Sequence, residues 1–260
     1  MVADSGDATT GVILAAGRGS RLQKLTDDRP KGLVEVAARP LVEWQLDAMN
    51  SAGLESLAIV TGYRQQDYAT FQVRTINNHR WAETNMVASM LCALDALDGT
   101  IVFSYSDILY DASVVRELLR SKDDFAVVYD TDWLEIWSRR FTDPLSDAES
   151  FKIGADQRIL EIGQPAHHVS EIEGQFMGLF KVSPKAAGWI RELLVEQADA
   201  VDALDTTGLL NLLISKGYPV FGVPTAGNWM EIDNQKDLEV AESMLKSGAL
   251  VLDSKRTVTS

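Results

Sequence analysis

A short apolar run that breaks into a glycine loop constrains the start of this chain more than any other feature. Gly11-Val-Ile-Leu-Ala-Ala-Gly17-Arg18-Gly19-Ser20-Arg21-Leu22 is followed by Pro30-Lys31-Gly32-Leu33. The run reads as a buried strand over 12–14, and the small residues after it let a ligand approach the backbone amides closely. Arg18, Arg21, Lys24, Arg29 and Lys31 crowd the loop, offset only by Asp27 and Asp28. The whole chain carries a net charge of −14. A focused basic loop on an acidic protein suits a small polyanion. The same acidity argues against a nucleic-acid or anionic-membrane surface.

Two familiar phosphate loops fail on spacing. A dinucleotide fingerprint needs a third small residue where Leu22 stands and a helix that opens at once, whereas this loop runs on polar to Pro30. The Walker A loop needs Gly-Lys-Ser/Thr, which is absent here. The residues support a different cradle. Leu14, Ala15, Ala16, Gly17, Arg18, Gly19 and Ser20 form the loop that meets base and phosphates, with Arg21 as a bidentate fork on the outer phosphates. Lys31, a mobile point charge, suits the α-phosphate.

At 260 residues and 46% apolar content the chain is long enough for one large domain. A single domain over 10–250 is expected, with flexible tails at 1–9 and 251–260. No apolar run reaches the roughly 20 residues of a bilayer span, and Met1-Val-Ala-Asp-Ser-Gly-Asp-Ala is no signal peptide. A cytoplasmic location is the expectation. The lone Cys92 excludes an internal disulfide and reads as a small buried hydrophobe.

Strands and helices alternate through the first half: strands at 12–14, 56–61, 71–76, 100–105 and 125–130, helices at 41–52, 86–97 and 112–120. The second half predicts strands at 150–153, 159–162, 178–182 and 220–223, and helices at 185–197, 208–216 and 235–246. This alternation points to an α/β fold with a mainly parallel sheet covered on both faces. Asp107 closes one strand and Asp233 follows another short apolar segment. Two such carboxylates can hold one Mg²⁺ through hard oxygen ligands, although an Asp at a strand end is commonly a turn or cap. His79, His167 and His168 are too scattered for a triad or a zinc site.

Leu14-Ala15-Ala16-Gly17-x-Gly19-Ser20-Arg21 followed by Pro30-Lys31 resembles the signature of the nucleotidyltransferase superfamily of NDP-sugar pyrophosphorylases and cytidylyltransferases. Within it, the chain is similar to the small bacterial phosphocholine and phosphonoalkyl cytidylyltransferases. Pro40-Leu41-Val42-Glu43-Trp44-Gln45, Thr61-Gly62-Tyr63, Asn85 through Ser89-Met90, Tyr105-Ser106-Asp107 and Glu231-Ile232-Asp233 carry that likeness. The resemblance implies a Rossmann-like, mixed and mainly parallel sheet flanked by helices, and Mg²⁺ on Asp107 and Asp233. It also implies transfer of CMP from CTP to a small phosphonate or phosphate monoester. Asn85, Ser89 and Ser106 would border the nucleotide, although Asn85 also reads as a helix cap.

The acceptor candidates are Trp133, Trp137, Asp147, Glu149 and Lys152, with Asp205 and Glu231 added by the resemblance. Tryptophans beside carboxylates can hold an ammonium group, but Trp133 and Trp137, four apart, equally suit a helical core face. The segment 201–207 lacks the aromatics that phosphocholine enzymes carry there, which favours aminoethyl- or hydroxyalkyl-phosphonate over phosphocholine. The alternatives are a sugar-1-phosphate nucleotidyltransferase and a non-catalytic nucleotide-binding regulatory relative. The oligomeric state stays open, a homodimer included.

Overall fold

The structure, a computed structural model, describes residues 8–197 and 200–252, apart from the side chains of residues 21, 23 and 24. Buried strands organise it. β1 (Thr9–Ala15) leads through the short β2 (Glu35–Val36) and β3 (Arg39–Pro40) to α1 (Leu41–Ser51), β4 (Ser56–Thr61) and β5 (Arg74–Asn77). Next come α2 (Met86–Ala96), β6 (Thr100–Tyr105), β7 (Ile108–Tyr110), α3 (Ala112–Arg120), β8 (Phe125–Asp130) and α4 (Trp133–Arg140). β9 (Glu149–Ile153), β10 (Ile159–Pro165) and β11 (Gln175–Val182) precede α5 (Pro184–Glu196) and α6 (Thr206–Ser215). The chain closes with β12 (Phe221–Thr225), β13 (Trp229–Glu231) and α7 (Gln235–Ser247).

Seven strands form one sheet in the order β12-β8-β11-β6-β1-β4-β5. β11 runs antiparallel to β6 and β8, and the remaining neighbours pair in parallel. The alternating pattern predicts such a mainly parallel, helix-covered sheet, and the family resemblance implies its mixed character. Alternation along each strand feeds two cores. Ile13, Ile59, Val102, Val128 and Leu179 face one side, with residues of α1, α3, α4 and α7. Val12, Leu14, Val60, Phe103, Val127 and Phe180 face the other, with residues of α2, α5 and α6. Burial on both faces is why these strands read as nearly unbroken apolar runs. Among the described residues, no helix is long and apolar enough to cross a membrane.

Two expectations need correction. The strand placed at 71–76 begins only at Arg74, because residues Gln65–Phe71 form a 3₁₀ turn and Gln72 adopts φ +51°. That left-handed residue stops any extended run across it. Thr9, counted with the N-terminal tail, is the first residue of β1. At the other end Val251 donates its N–H to Asn228 Oδ1 at 2.9 Å. Residues 1–7 and 253–260 of the expected tails lie outside the described residues.

Small features aim the loops at the C-terminal end of the sheet. β7 pairs antiparallel with β13, setting Ile108 opposite Glu231. The Ile232 N–H donates to the Asp107 carbonyl at 2.8 Å. Thus two segments distant in sequence are locked side by side. β11 shifts register between Phe176 and Phe180, with Gly178 at φ +80° inside the shift. A Cβ there would stand 2.6 Å from the Tyr105 ring. We expect Gly178→Ala to destabilise the fold by about 1–3 kcal/mol in denaturant titration, through left-handed strain and overpacking.

Candidate active site

Backbone carbonyls of the loop after β1 anchor it. The Ala16 carbonyl accepts the Tyr63 N–H at 2.9 Å, and the Gly19 carbonyl accepts Leu22 N–H at 3.1 Å and Thr26 Oγ1 at 3.0 Å. Gly19 has φ +76°, and a Cβ on it would lie 2.5 Å from Lys31 Cβ. Only glycine lets the Lys31 stem run against this loop. Pro30 is extended and Lys31 opens the short 3₁₀ turn Lys31–Leu33. The lysine is 7% exposed.

Lys31 Nζ donates to Asp107 Oδ2 at 2.7 Å and to Asp233 Oδ1. Burial by itself pulls its pKa down, but the two carboxylates outweigh that and hold it above the ordinary lysine value. Asp107 arrives from the end of β6, and Asp233 from the turn after β13. Glu231 joins them: single oxygens of Asp107, Glu231 and Asp233 lie within 4.8 Å of one another. Burial pushes the Glu231 carboxyl up to about 7, with Arg140 acting against the rise and Asp233 and Asp107 adding to it.

Arg140, the last residue of α4, braces this cluster. Its side chain is fully buried, with Nη1 on Glu231 Oε2 at 2.7 Å. Nε and Nη2 reach Asp237 Oδ1 and Oδ2 at 3.1 and 3.2 Å. Asp237 Oδ2 in turn accepts the Asp233 N–H at 3.0 Å. A buried ion pair holds in the interior only when further hydrogen bonds offset the lost hydration, and the guanidinium here makes three, one from each nitrogen. Asp107 Oδ1 stands apart: it is buried and, among the described residues, accepts no hydrogen bond. An orphaned hard oxygen beside two further carboxylates fits a divalent cation such as Mg²⁺.

Two clefts meet at this cluster. One, of about 250 Å³, is lined by Leu14, Ala16, Gly17, Gly19, Ser20, Lys31, Trp81, Thr84, Asn85, Met86, Ser89, Ser106 and Asp107. Most of the expected nucleotide residues are there. Ala15 is not, because strand alternation turns it into the opposite core, at 1% exposure. Arg18 is not a lining residue either; it leans over the Tyr63 ring at 5.7 Å and pairs with Asp27 at 3.6 Å. The Arg21 side chain lies outside what the structure describes. Asn85 caps α2, with Oδ1 accepting Met86 N–H at 2.8 Å, and also borders the cleft.

The second cleft, of about 180 Å³, is lined by Tyr105, Trp137, Asp147, Glu149, Ser150, Phe151, Ile162, Gln175, Phe176, Thr207, Glu231 and Asp233. Trp137 reaches it and donates its indole N–H to Asp147 Oδ2 at 3.1 Å. Trp133 does not line it. It sits in the core at 3% exposure and donates to the Ile172 carbonyl at 3.3 Å, so the core reading holds for this residue. Lys152 is turned outward, half-exposed and paired across the strands with Glu161 at 3.3 Å. Asp205 caps α6 by accepting Gly208 N–H at 2.7 Å, and its neighbour Thr207 lines the cleft. Among the described lining residues there is no lysine or arginine.

A likeness now accounts for the geometry. Residues 11–171 match the family model of the MobA-like NTP transferase domain. The chain belongs to that family. It is a nucleotidyltransferase. CTP:phosphoglutamine cytidylyltransferase of Campylobacter jejuni is 34% identical over 252 residues, covering 88% of this chain and 97% of the relative. The 2-aminoethylphosphonate cytidylyltransferase of Lancefieldella rimae is 30% identical over 102 residues, 37% of this chain and 42% of that one. The solved CTP:phosphocholine cytidylyltransferase from Streptococcus pneumoniae superposes with a TM-score of 0.69 at 21% identity, over 92% of this chain and 99% of that chain. That likeness shows the shared fold.

Sequence reasoning missed Arg140, Trp81 and Thr84. It also read Glu231 as an acceptor residue, apart from the metal carboxylates it adjoins. Gln175 fixes Glu149 by its backbone, accepting the Glu149 N–H at 3.4 Å and donating to its carbonyl. Glu149 is exposed at the cleft, yet partial loss of hydration holds its carboxyl above the ordinary value, with Asp205 and Asp147 adding to the rise and solvent screening keeping the effect small. A raised carboxyl makes the ionised form a cost of folding at neutral pH, relieved as pH falls through the folded pKa. We expect Glu149→Gln to raise the thermal midpoint at pH 7.5, with the gap from the unsubstituted protein shrinking as the pH is lowered.

Proposed function

We propose that this nucleotidyltransferase moves CMP from CTP to a small phosphonate or phosphate monoester, an ammonium-bearing one in preference, releasing pyrophosphate. The observation that carries the reading is the meeting of the two clefts at Lys31, Asp107, Asp233 and Glu231. One cleft is a glycine-loop cradle ending in a lysine. The other is a small chamber of carboxylates and aromatic faces with no lysine or arginine among its described lining residues. A primary or substituted ammonium would find ion pairing on Asp147 and Glu149 and a ring face on Trp137 or Phe176. Aminoethylphosphonate is favoured among acceptors, then hydroxyalkyl-phosphonates and phosphocholine. Phosphoglutamine is a second reading, on the strength of the whole-length relative.

The acceptor's phosphoryl oxygen is anionic near neutral pH, so no base is needed to make the nucleophile. The protein's part is alignment and charge. Gly17, Gly19 and Ser20 would seat the triphosphate on backbone amides, and Arg21 would grip its outer end. Lys31 exchanges partners in this reading: it holds Asp107 and Asp233 while the site is empty, and moves to the α-phosphate when substrate is bound. Asp107, Asp233 and Glu231 would hold Mg²⁺, which when bound supplies charge neutralisation on the transferring group. Arg140 keeps the Glu231–Asp233 segment pointed at that place.

The test is a pyrophosphate-release matrix of CTP and UTP against aminoethylphosphonate, hydroxyethylphosphonate, phosphocholine, phosphoglutamine and glucose-1-phosphate. Turnover with CTP and an ammonium-bearing acceptor is expected, and turnover only with the sugar phosphate would overturn the reading. Lys31→Ala should lower kcat by at least about 100-fold with an unchanged circular dichroism spectrum.

A further inference from the structure

We propose that Asn78, a residue that touches no substrate, sets the choice of cytosine over uracil by fixing which way the Ser89 hydroxyl points. The inference rests on the reading of the glycine-loop cleft as the nucleotide site. Asn78 follows β5 and is 4% exposed. Its backbone N–H donates to the Thr61 carbonyl at 2.8 Å. Its side-chain Oδ1 accepts the Arg80 N–H at 2.9 Å. A backbone N–H can only donate, so the amide orientation of Asn78 is settled and Nδ2 is the donor end.

That end serves two hydroxyls. Nδ2 donates to Thr84 Oγ1 and to Ser89 Oγ, each at 3.1 Å. Thr84 gives its own proton to the Arg80 carbonyl at 2.9 Å and is thereby complete. Ser89 is not. It is 5% exposed, lines the cleft, and among the described residues no acceptor takes its proton. One side of its oxygen is occupied by the Asn78 amide, so the hydroxyl proton is left to point into the cleft. Ser89 therefore presents a donor there.

The two pyrimidines differ in what they offer such a donor. Ring nitrogen N3 is a bare acceptor in cytosine and carries a proton in uracil. A fixed donor at N3 pairs with the first and opposes the second, and a buried mismatched polar pair discriminates far more strongly than shape. Trp81 lines the same cleft. Its ring lies 5.3 Å from the Tyr63 ring, and a Cβ on Gly62 would sit 2.5 Å from the Trp81 Cβ. A base seated in this cleft against Ser89 would then be chosen by proton polarity.

Asn78→Asp separates polarity from shape. The carboxylate can still accept the Arg80 N–H but must also accept from Ser89, turning that proton away from the cleft and presenting a lone pair instead. The ratio of CTP to UTP Kd values, measured by calorimetry without acceptor, should shift toward UTP by about tenfold or more. The same ratio of kcat/KM values should follow it, with kcat for CTP changed much less than KM. Ser89→Ala removes the donor and should weaken CTP while leaving UTP nearly unchanged; this variant carries the test should Asn78→Asp fail to fold. Folded variants that keep the unsubstituted CTP:UTP ratio, or lose both nucleotides equally, overturn the proposal. An unsubstituted protein that binds neither pyrimidine triphosphate would refute the reading beneath it instead.

Discussion

The ammonium of Lys31, buried between Asp107 and Asp233, is the interaction on which the rest depends. Three segments meet there that are otherwise far apart: the turn after the glycine loop, the end of β6 and the end of β13. A lysine this deep is tolerable only because two carboxylates offset its lost hydration. The carboxylates in turn would repel one another without it. Each partner makes the others affordable. The arrangement also explains why Gly19 cannot carry a side chain, since the lysine stem lies against its backbone.

Arg140 extends the same logic outward. Its bonds to Glu231 and Asp237 tie α4 and α7 to the carboxylate cluster. On the neighbouring turn of α4, Trp137 walls the second cleft and holds Asp147. A single short helix therefore touches both the charged centre and the chamber beside it. Two buried cations and several acids are packed into one small volume, a combination that favours function over stability.

Much of this was legible in the sequence. Strands buried on both faces leave long apolar runs, and the glycine loop with Pro30-Lys31 is a local pattern, so both are visible without a structure. Asp107 and Asp233 were readable as strand-end carboxylates. What stayed hidden depends on packing between distant segments. Arg140 looks like a solvated helix end until Trp137 and Phe141 are found over its guanidinium. Trp133 and Trp137 share a helical stripe, yet only one borders the cleft. Lys152 faces outward because of its cross-strand pairing with Glu161. The role argued for Asn78 rests on four hydrogen bonds that no spacing rule encodes.

Divalent-cation affinity of the empty protein tests the central claim most directly. If Lys31 holds the place of an external cation, its removal should bare Asp107 and Asp233. Manganese titration followed by electron paramagnetic resonance, without nucleotide, should then show Lys31→Ala binding the ion about tenfold more tightly than the unsubstituted protein. Equal or weaker binding by the folded variant would contradict the account.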